Sequence, residues 1–419
     1  MCVYPEITHF NFRNNHFIFT AVLNLWDFDL FSRKAFVVSS GCPESRIDST
    51  RVKNFLIENG WTMTDKITDA DLVAFRACGL TDTSIEKSLQ LIGSLKARMK
   101  GTAQFIVWGC LPKINMEALK TVYEGITFGE DEINIFNKIL QAKKPIEEVT
   151  ANSCMTNFEL KQGFRGKLSK LDKYFSRKYS IVGKDSIFEI KVSTGCLGNC
   201  SFCNVRRSRG LVHSKSTEEV VTEFRNGLKK GYRYFGLLAT DLGAYGRDRG
   251  CNLVDLLVEL TKEKGDYKIG LRNVNPHFLI EMFEELRPIF ASGKIWFLSS
   301  SVESGSDRIL KLMQRRYQVQ DFIECIRIIN SEYPNILLRT QILVGFPSET
   351  NKDFQMTTKL FDELKFDWVE IYKFSSCKGT TAAKMPNQIS ESTKETRFMQ
   401  LFLKTRLQRP QEKLKQILA

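Results

Sequence analysis

Nine short apolar runs, each followed by a stretch of helical character, constrain this chain more than any other feature. Strands separated by helices return parallel to one another, because a parallel neighbour needs a long crossover and a hairpin cannot supply it. The runs fall into two series. Three lie at 35–38, 71–75 and 104–108, with helical stretches at 49–59, 83–99 and 116–124. Six more lie at 188–192, 234–238, 268–271, 295–298, 337–343 and 368–374. The pattern predicts an α/β protein with an N-terminal open parallel α/β domain at 34–144, followed by a partial (β/α)6 barrel at 187–390. Residues 145–186 read as a linker and 391–419 as a basic helical tail. Residues 1–33, rich in Phe and Asn without a period, form an extension with no assigned role. A chain of 419 residues is long enough for each part to bury its own core.

Eleven cysteines punctuate this frame, and two sets of three stand out. The compact set, Cys196, Cys200 and Cys203, follows the run at 188–192 directly in Gly195-Cys196-Leu197-Gly198-Asn199-Cys200-Ser201-Phe202-Cys203. Three thiolates within eight residues can wrap one side of an iron–sulfur cluster and leave one iron open to a small molecule. A structural zinc ion would want a fourth ligand close by, and none follows: Cys251 is far off and His213 stands alone. The dispersed set is Cys42, Cys78 and Cys110, each just after a strand of the first series. Parallel strands end on one edge, where open α/β sheets place ligands, so these three thiols are expected to gather there. Cys2, Cys154, Cys251 and Cys325 read as buried or incidental thiols.

Charge and hydropathy narrow the function classes. No apolar run is long enough to span a bilayer; the stretch 17–26 is broken by Thr20 and Asn24. No secretory signal pattern opens the chain, so the sequence predicts a cytoplasmic protein with no membrane contact and reduced thiols. Four histidines leave little scope for His-based acid–base chemistry. The net charge of +13 concentrates in two places. One is 161–184, where eight Lys/Arg and the single acid Asp172 alternate with Phe164, Tyr174, Phe175 and Tyr179. The other is the tail, with Lys394, Arg397, Lys404, Arg406, Arg409, Lys413 and Lys415. Basic residues among aromatics suit phosphate and stacked bases, and also suit a solvated helix or loop. Arg206, Arg207 and Arg209, just past the compact set, either meet an anionic substrate or are solvated.

With both cysteine sets in hand, the chain resembles the radical S-adenosylmethionine (SAM) methylthiotransferases over residues 35–408. The compact C-x3-C-x2-C spacing, with Phe202 before its last cysteine, is similar to the superfamily's cluster motif. Gly41-Cys42-Pro43-Glu44-Ser45-Arg46-Ile47-Asp48-Ser49, the stretch from Ala70-Asp71-Leu72-Val73 to Cys78, and Gly109-Cys110-Leu111-Pro112 resemble the family's three auxiliary-cluster motifs. Thr240-Asp241-Leu242-Gly243-Ala244-Tyr245-Gly246-Arg247-Asp248 and Asn275-Pro276 look most like the branch acting on N6-threonylcarbamoyladenosine in tRNA. The segments 339–350 and 379–385 resemble the family's fifth and sixth strand segments. Departures are Ser45 for a usual Asn, Arg76-Ala77 for Asn-Thr, Glu303 for Gln and Cys377 for a common Arg. The family also normally ends in a small β-barrel TRAM domain, and the sequence up to Ala419 leaves no room for one.

The resemblance implies two [4Fe–4S] clusters, one on Cys196, Cys200 and Cys203 that chelates SAM, and an auxiliary one on Cys42, Cys78 and Cys110. It implies reductive cleavage of SAM to a 5′-deoxyadenosyl radical, hydrogen removal from an unactivated C–H bond, and insertion of a methylthio group. It places Thr240, Asp241, Glu303, Arg339, Gly345 and Phe346 around SAM, with Ser300 and Ser301 as weaker candidates. Arg339 could equally be a structural ion pair, and Gly345-Phe346-Pro347 a simple turn. The implied partners are tRNA or, without a TRAM domain, a peptide or small-molecule acceptor, and an electron donor such as a flavodoxin or ferredoxin. A non-catalytic iron–sulfur protein is the third reading.

Overall fold

The computed structural model describes residues 33–40, 43–155 and 187–418. The extension up to residue 32, Cys2, Cys42 and the basic stretch 161–184 lie outside the described residues. Two parallel sheets organise the rest. The first holds β1 (Lys34–Ser39), β2 (Thr62–Met63), β3 (Leu72–Ala77), β4 (Gln104–Gly109) and β5 (Ile126–Phe128), in the order β2-β1-β3-β4-β5. The runs at 35–38, 71–75 and 104–108 thus form its three central strands, and β2 and β5 are edges too short to show a pattern in the sequence. Every side chain of β3 is buried, because helices cover both faces of the sheet. Phe55, Trp108, Phe128 and Phe136 fill one face. Val73, Phe75, Ile92, Leu95 and Val107 fill the other.

The second sheet contains β6 (Ser153–Met155), β7 (Ile187–Lys191), β10 (Tyr234–Leu238), β11 (Lys268–Leu271), β12 (Ile295–Ser299), β13 (Leu337–Val344) and β14 (Trp368–Lys373). Between β7 and β10 a small antiparallel ladder joins β8 (Ser193–Thr194) to β9 (His213–Ser214). The sheet order is β14-β13-β12-β11-β10-β7-β6. Its six parallel strands coincide with the six runs of the second series, a partial (β/α)6 barrel. The seventh, β6, pairs antiparallel with β7 and comes from the stretch read as linker.

The tail helix Glu391–Leu418 packs against β13 and β14. This narrows the reading of its charge as suited to RNA. Lys394 and Arg397 are both buried; Arg397 pairs with Glu349 at 2.6 Å, and Lys394 lies over the Phe374 ring. Lys404 pairs with Asp362 at 2.7 Å. These cations pin the helix to the barrel, so they do not form an open phosphate-binding strip.

The helix Pro43–Glu58 of the first sheet lies against β6 and β7 of the second. Buried ion pairs cross the seam. Asp48 accepts from Arg76 of β3 at 3.0 Å and from Lys191 of β7 at 2.6 Å. Glu189, fully buried on β7, takes Arg46 at 3.1 Å and Arg272 at 2.8 Å. At the far side Ser375 donates to Asp82 at 2.7 Å, and the Cys377 thiol to the carbonyl of Leu80 at 3.4 Å. Cys377, which replaces a common Arg, is therefore a buried thiol in the second seam. Cys325 is buried in the barrel core and Cys251 packs against it.

Candidate functional site

The compact cysteine loop hangs between β8 and β9. Gly195 opens it at φ +76°, where a Cβ would lie 2.0 Å from the carbonyl oxygen of Leu211, so only glycine lets the two arms close. The Cys196 amide donates to the carbonyl of Gly210. Across the loop, the Ser201 amide donates to the Met313 carbonyl and its hydroxyl to that of Leu312. The Ala382 amide donates to the Ser201 carbonyl, which ties the loop to the segment after β14. Phe202 stacks edge-on with buried Phe346 at 6.4 Å.

These anchors turn the three sulfurs onto one cavity of about 390 Å³, lined also by Gly198, Asn199, Arg206, Arg207 and Gly379–Thr381. A Cβ at Gly198 would sit 3.3 Å from the Cys196 sulfur and 3.8 Å from that of Cys200. Each sulfur accepts one N–H: from Gly198 to Cys196 at 3.2 Å, from Val205 to Cys203 at 3.4 Å, and from Arg315 Nη1 to Cys200 at 3.5 Å. Burial pushes the Cys196 thiol up to about 11 and Cys203 to about 12. Left to themselves these thiols stay protonated at neutral pH; a bound metal must displace the protons, as structural thiolate sites do. Donors aimed at three converging sulfurs suit a cluster. Among the described residues no three His, Cys, Asp or Glu side chains are grouped to hold a single metal ion.

The residues expected around SAM distribute unevenly. Asp241, at the end of β10, accepts from the amides of Gly243 at 3.2 Å and Asn275 at 3.3 Å, and its carboxylate lies 4.0 Å from the Cys196 sulfur. Burial raises its pKa to about 6 despite those donors. Glu303 adopts φ +65°, and its backbone is locked to Gln341 and Leu343 of β13. A left-handed non-glycine costs about 1–3 kcal/mol, and such strain gathers at functional sites. Burial pushes its carboxyl up to about 7 although Arg315 opposes this. The Arg315 cation opposes the rise at both carboxyls.

Thr240 faces elsewhere. It donates to Glu44 and accepts from Arg209, each at 3.1 Å, so it closes the seam between the sheets. Arg339 is held by Glu370 on the next strand, and Gln341 and Tyr372 share that carboxylate. The ion-pair alternative for Arg339 is thus the arrangement observed. Gly345, at φ +73°, donates its amide to Glu349 at 2.8 Å, and Lys394 fills the space beside it. Ser301 bonds Gln341 at 2.7 Å, and Ser300 is buried. Arg209 is buried against Glu44, Arg207 bonds Asn204 and the carbonyl of Lys378, and Arg206 is exposed. Arg315 was missed by the sequence reading: it lies far along the chain from Cys200, and only the fold brings it there.

The dispersed set follows the sheet register. Arg76 pairs with Ser39 of β1, and Ala77 with Gly109 of β4, so Cys78 and Cys110 leave adjacent strands side by side. Cys110 begins the short helix Cys110–Ile114 and is buried, which raises its pKa, while the cations Arg209 and Arg76 pull the other way. Ser40 ties the strand ends: its hydroxyl accepts from the Cys78 amide at 2.9 Å. Cys42, the third member of the set, lies outside the described residues. The helix Val205–Arg209, two residues past Cys203, packs on Cys110–Ile114, which brings the segment after the compact set against the helix that Cys110 begins.

Residues 190–361 match the Radical SAM superfamily, and residues 34–129 match the uncharacterized protein family UPF0004. The chain is 30% identical over 348 residues to a probable threonylcarbamoyladenosine tRNA methylthiotransferase of Archaeoglobus fulgidus, covering 82% of this chain and 77% of that protein. It is 28% identical over 382 residues to the ribosomal protein uS12 methylthiotransferase RimO of Protochlamydia amoebophila, covering 89% and 76%. In fold it is similar to the radical SAM methyltransferase TsrM of Kitasatospora setae, with a TM-score of 0.56 at 14% identity over 82% of this chain and 75% of that one. The chain belongs to the radical SAM methylthiotransferases.

Proposed function

We propose that the protein inserts a methylthio group into an unactivated C–H bond of a modified adenosine in tRNA, using SAM and two [4Fe–4S] clusters. The observation that carries this reading is the convergence of Cys196, Cys200 and Cys203 on one cavity, supported by the packing of Val205–Arg209 on the helix that Cys110 begins. The named tRNA acceptor of the Archaeoglobus fulgidus relative and the stretch Thr240–Asp248 favour adenosine. Exposed Arg206 fits an anionic acceptor at the rim.

Cys196, Cys200 and Cys203 would hold the SAM-binding cluster, and Cys42, Cys78 and Cys110 the auxiliary one. When bound, these groups supply the radical C–H chemistry and the transferable sulfur. The chain supplies position and dryness. The amides of Gly198 and Val205 fix two sulfurs, and Phe202 against Phe346 walls the loop with apolar surface. The Glu44–Arg209–Thr240 contacts tie the first sheet to the barrel. Asp241, whose carboxylate lies 4.0 Å from the Cys196 sulfur, and Glu303 would offer carboxylates to the SAM amino group. A flavodoxin- or ferredoxin-class donor would deliver the electrons.

Iron counting tests the reading. Anaerobically reconstituted protein is expected to hold about eight irons per chain, and a Cys42/Cys78/Cys110→Ala variant about four. An unchanged count in the variant would sink the auxiliary cluster. Incubation with SAM, dithionite and bulk tRNA should then give a methylthio mass increment on a nucleoside. The increment on a uS12-type peptide instead, insensitive to salt, would select the acceptor named for the Protochlamydia amoebophila relative.

A further inference from the structure

Arg315 makes a contact that nothing in the sequence announced. Its Nη1 points at the Cys200 sulfur at 3.5 Å, and its Nη2 donates to the carbonyl of Ser301 at 2.6 Å. The guanidinium lies over the Tyr317 ring at 5.6 Å, and that ring is itself held by a bond from its hydroxyl to the carbonyl of Val302 at 2.5 Å. The fork is therefore fixed at both ends, and Nε is buried with no acceptor among the described residues. The other two sulfurs receive neutral backbone N–H groups; Cys200 alone receives a charged donor. The Asp241 carboxylate lies 4.0 Å from the Cys196 sulfur and adds negative charge beside the loop.

We infer that Arg315 is a positioning residue that raises the reduction potential of the cluster on Cys196, Cys200 and Cys203, and so lets a one-electron donor charge it. This rests on the reading that those cysteines hold the cluster. Reduction takes one electron from an external flavodoxin- or ferredoxin-class donor and moves no proton, so it adds one negative charge to a site already ringed by three thiolates and two carboxylates. A fixed guanidinium beside one sulfur stabilises that added charge, and hydrogen bonds to cluster sulfurs and local net charge are the known levers on such potentials. Arginine suits the task because it stays charged when buried and presents several donors at once. A purely structural Arg315 would clamp Ser301 and Tyr317 and leave the potential untouched.

The experiment is a redox titration followed by electron paramagnetic resonance on reconstituted wild type, Arg315→Lys and Arg315→Met, with iron counted in each. Dispersed-set cysteines are replaced throughout so that one cluster is read. The Met variant should show at least a tenfold lower ratio of reduced to oxidised cluster at a fixed potential, equal to a shift of 59 mV or more for one electron. The Lys variant, which keeps the charge and loses the fork, should fall between. A Met variant with full iron that titrates like wild type overturns the inference. Should the Met variant lose iron, wild type with 15N-arginine decides: the reduced cluster must show a hyperfine coupling to a guanidinium nitrogen, and its absence overturns the inference. A wild-type background that binds no cluster overturns instead the assignment of Cys196, Cys200 and Cys203.

Discussion

Cys196, Cys200 and Cys203 share one loop closed by β8 and β9, whereas Cys78 and Cys110 arrive from different strands that must first pair in register. The first set sits on one loop shaped by a glycine and held by a few hydrogen bonds to barrel segments already in place. The second depends on the whole first sheet being built. A local site should fail through a local fault and leave the rest of the molecule standing. A distributed site should fail only with its sheet or at the contacts where its loops touch.

Two glycine substitutions set that difference at its sharpest. Gly195→Ala forces a Cβ to 2.0 Å from a backbone oxygen at a left-handed φ, which no rotamer can relieve. Iron should fall from about eight to about four per chain with the dispersed-set cluster intact. Gly79→Ala places a Cβ 2.7 Å from the Cα of Leu111, between the loops that carry Cys78 and Cys110. It should cost the other four irons or so and leave SAM cleavage in place. If either variant loses both clusters, the sites are not separate folding units.

The seam between the sheets gives the next largest effect. Asp48 sits buried between Lys191 and Arg76. Burial alone would raise its pKa, but the two cations outweigh it and hold the carboxyl below the usual carboxylate range. Asp48→Leu strands buried Lys191, while Arg76 keeps its buried pair with Glu130, and should cost about 3 kcal/mol in denaturant unfolding. Adding Lys191→Met should recover part of that loss, and a double-mutant cycle measures how much. The pH dependence has a definite sign. Because the folded pKa is depressed, Asp48 contributes stability above the unfolded carboxylate value of about 4, lost as pH falls below it. Asp48→Asn should flatten the stability profile in that acid range, and an unaltered acid limb would remove Asp48 from the account.

What could be read from the sequence follows the same division. The nine short runs were readable because strands in a sheet covered by helices are rich in apolar residues, and helices between them force a parallel sheet. The compact cysteines were readable because their spacing is itself the geometry. The dispersed set could be guessed only through the rule that parallel strands end on one edge. Arg315 could not be read at all, because its partner Cys200 is met through the turn after β12 and the tight curl that ends at Gln314, φ +58°. Arg339 was read toward SAM, since cross-strand pairing with Glu370 depends on a register that no single strand carries. Lys394 and Arg397 count in the sequence only as part of a basic tail that suits phosphate, because whether a basic helix buries its stems depends on what it packs against.

The smallest effect belongs to the second seam, where the contrast is between buried and exposed pairing. Lys378 and Glu117 approach within 2.5 Å, yet their side chains are 70% and 81% exposed. Water screens such a pair, and two long side chains lose freedom to form it, so the net gain is close to nothing. Lys378→Ala should leave the melting temperature unchanged within error at low and at high salt. The same substitution keeps the buried Cys377–Leu80 contact and the Ser375–Asp82 bond. A clear drop at low salt that vanishes at high salt would mean the pair is shielded in solution, and that the segment after β14 is held to the first sheet by charge and not by its buried contacts.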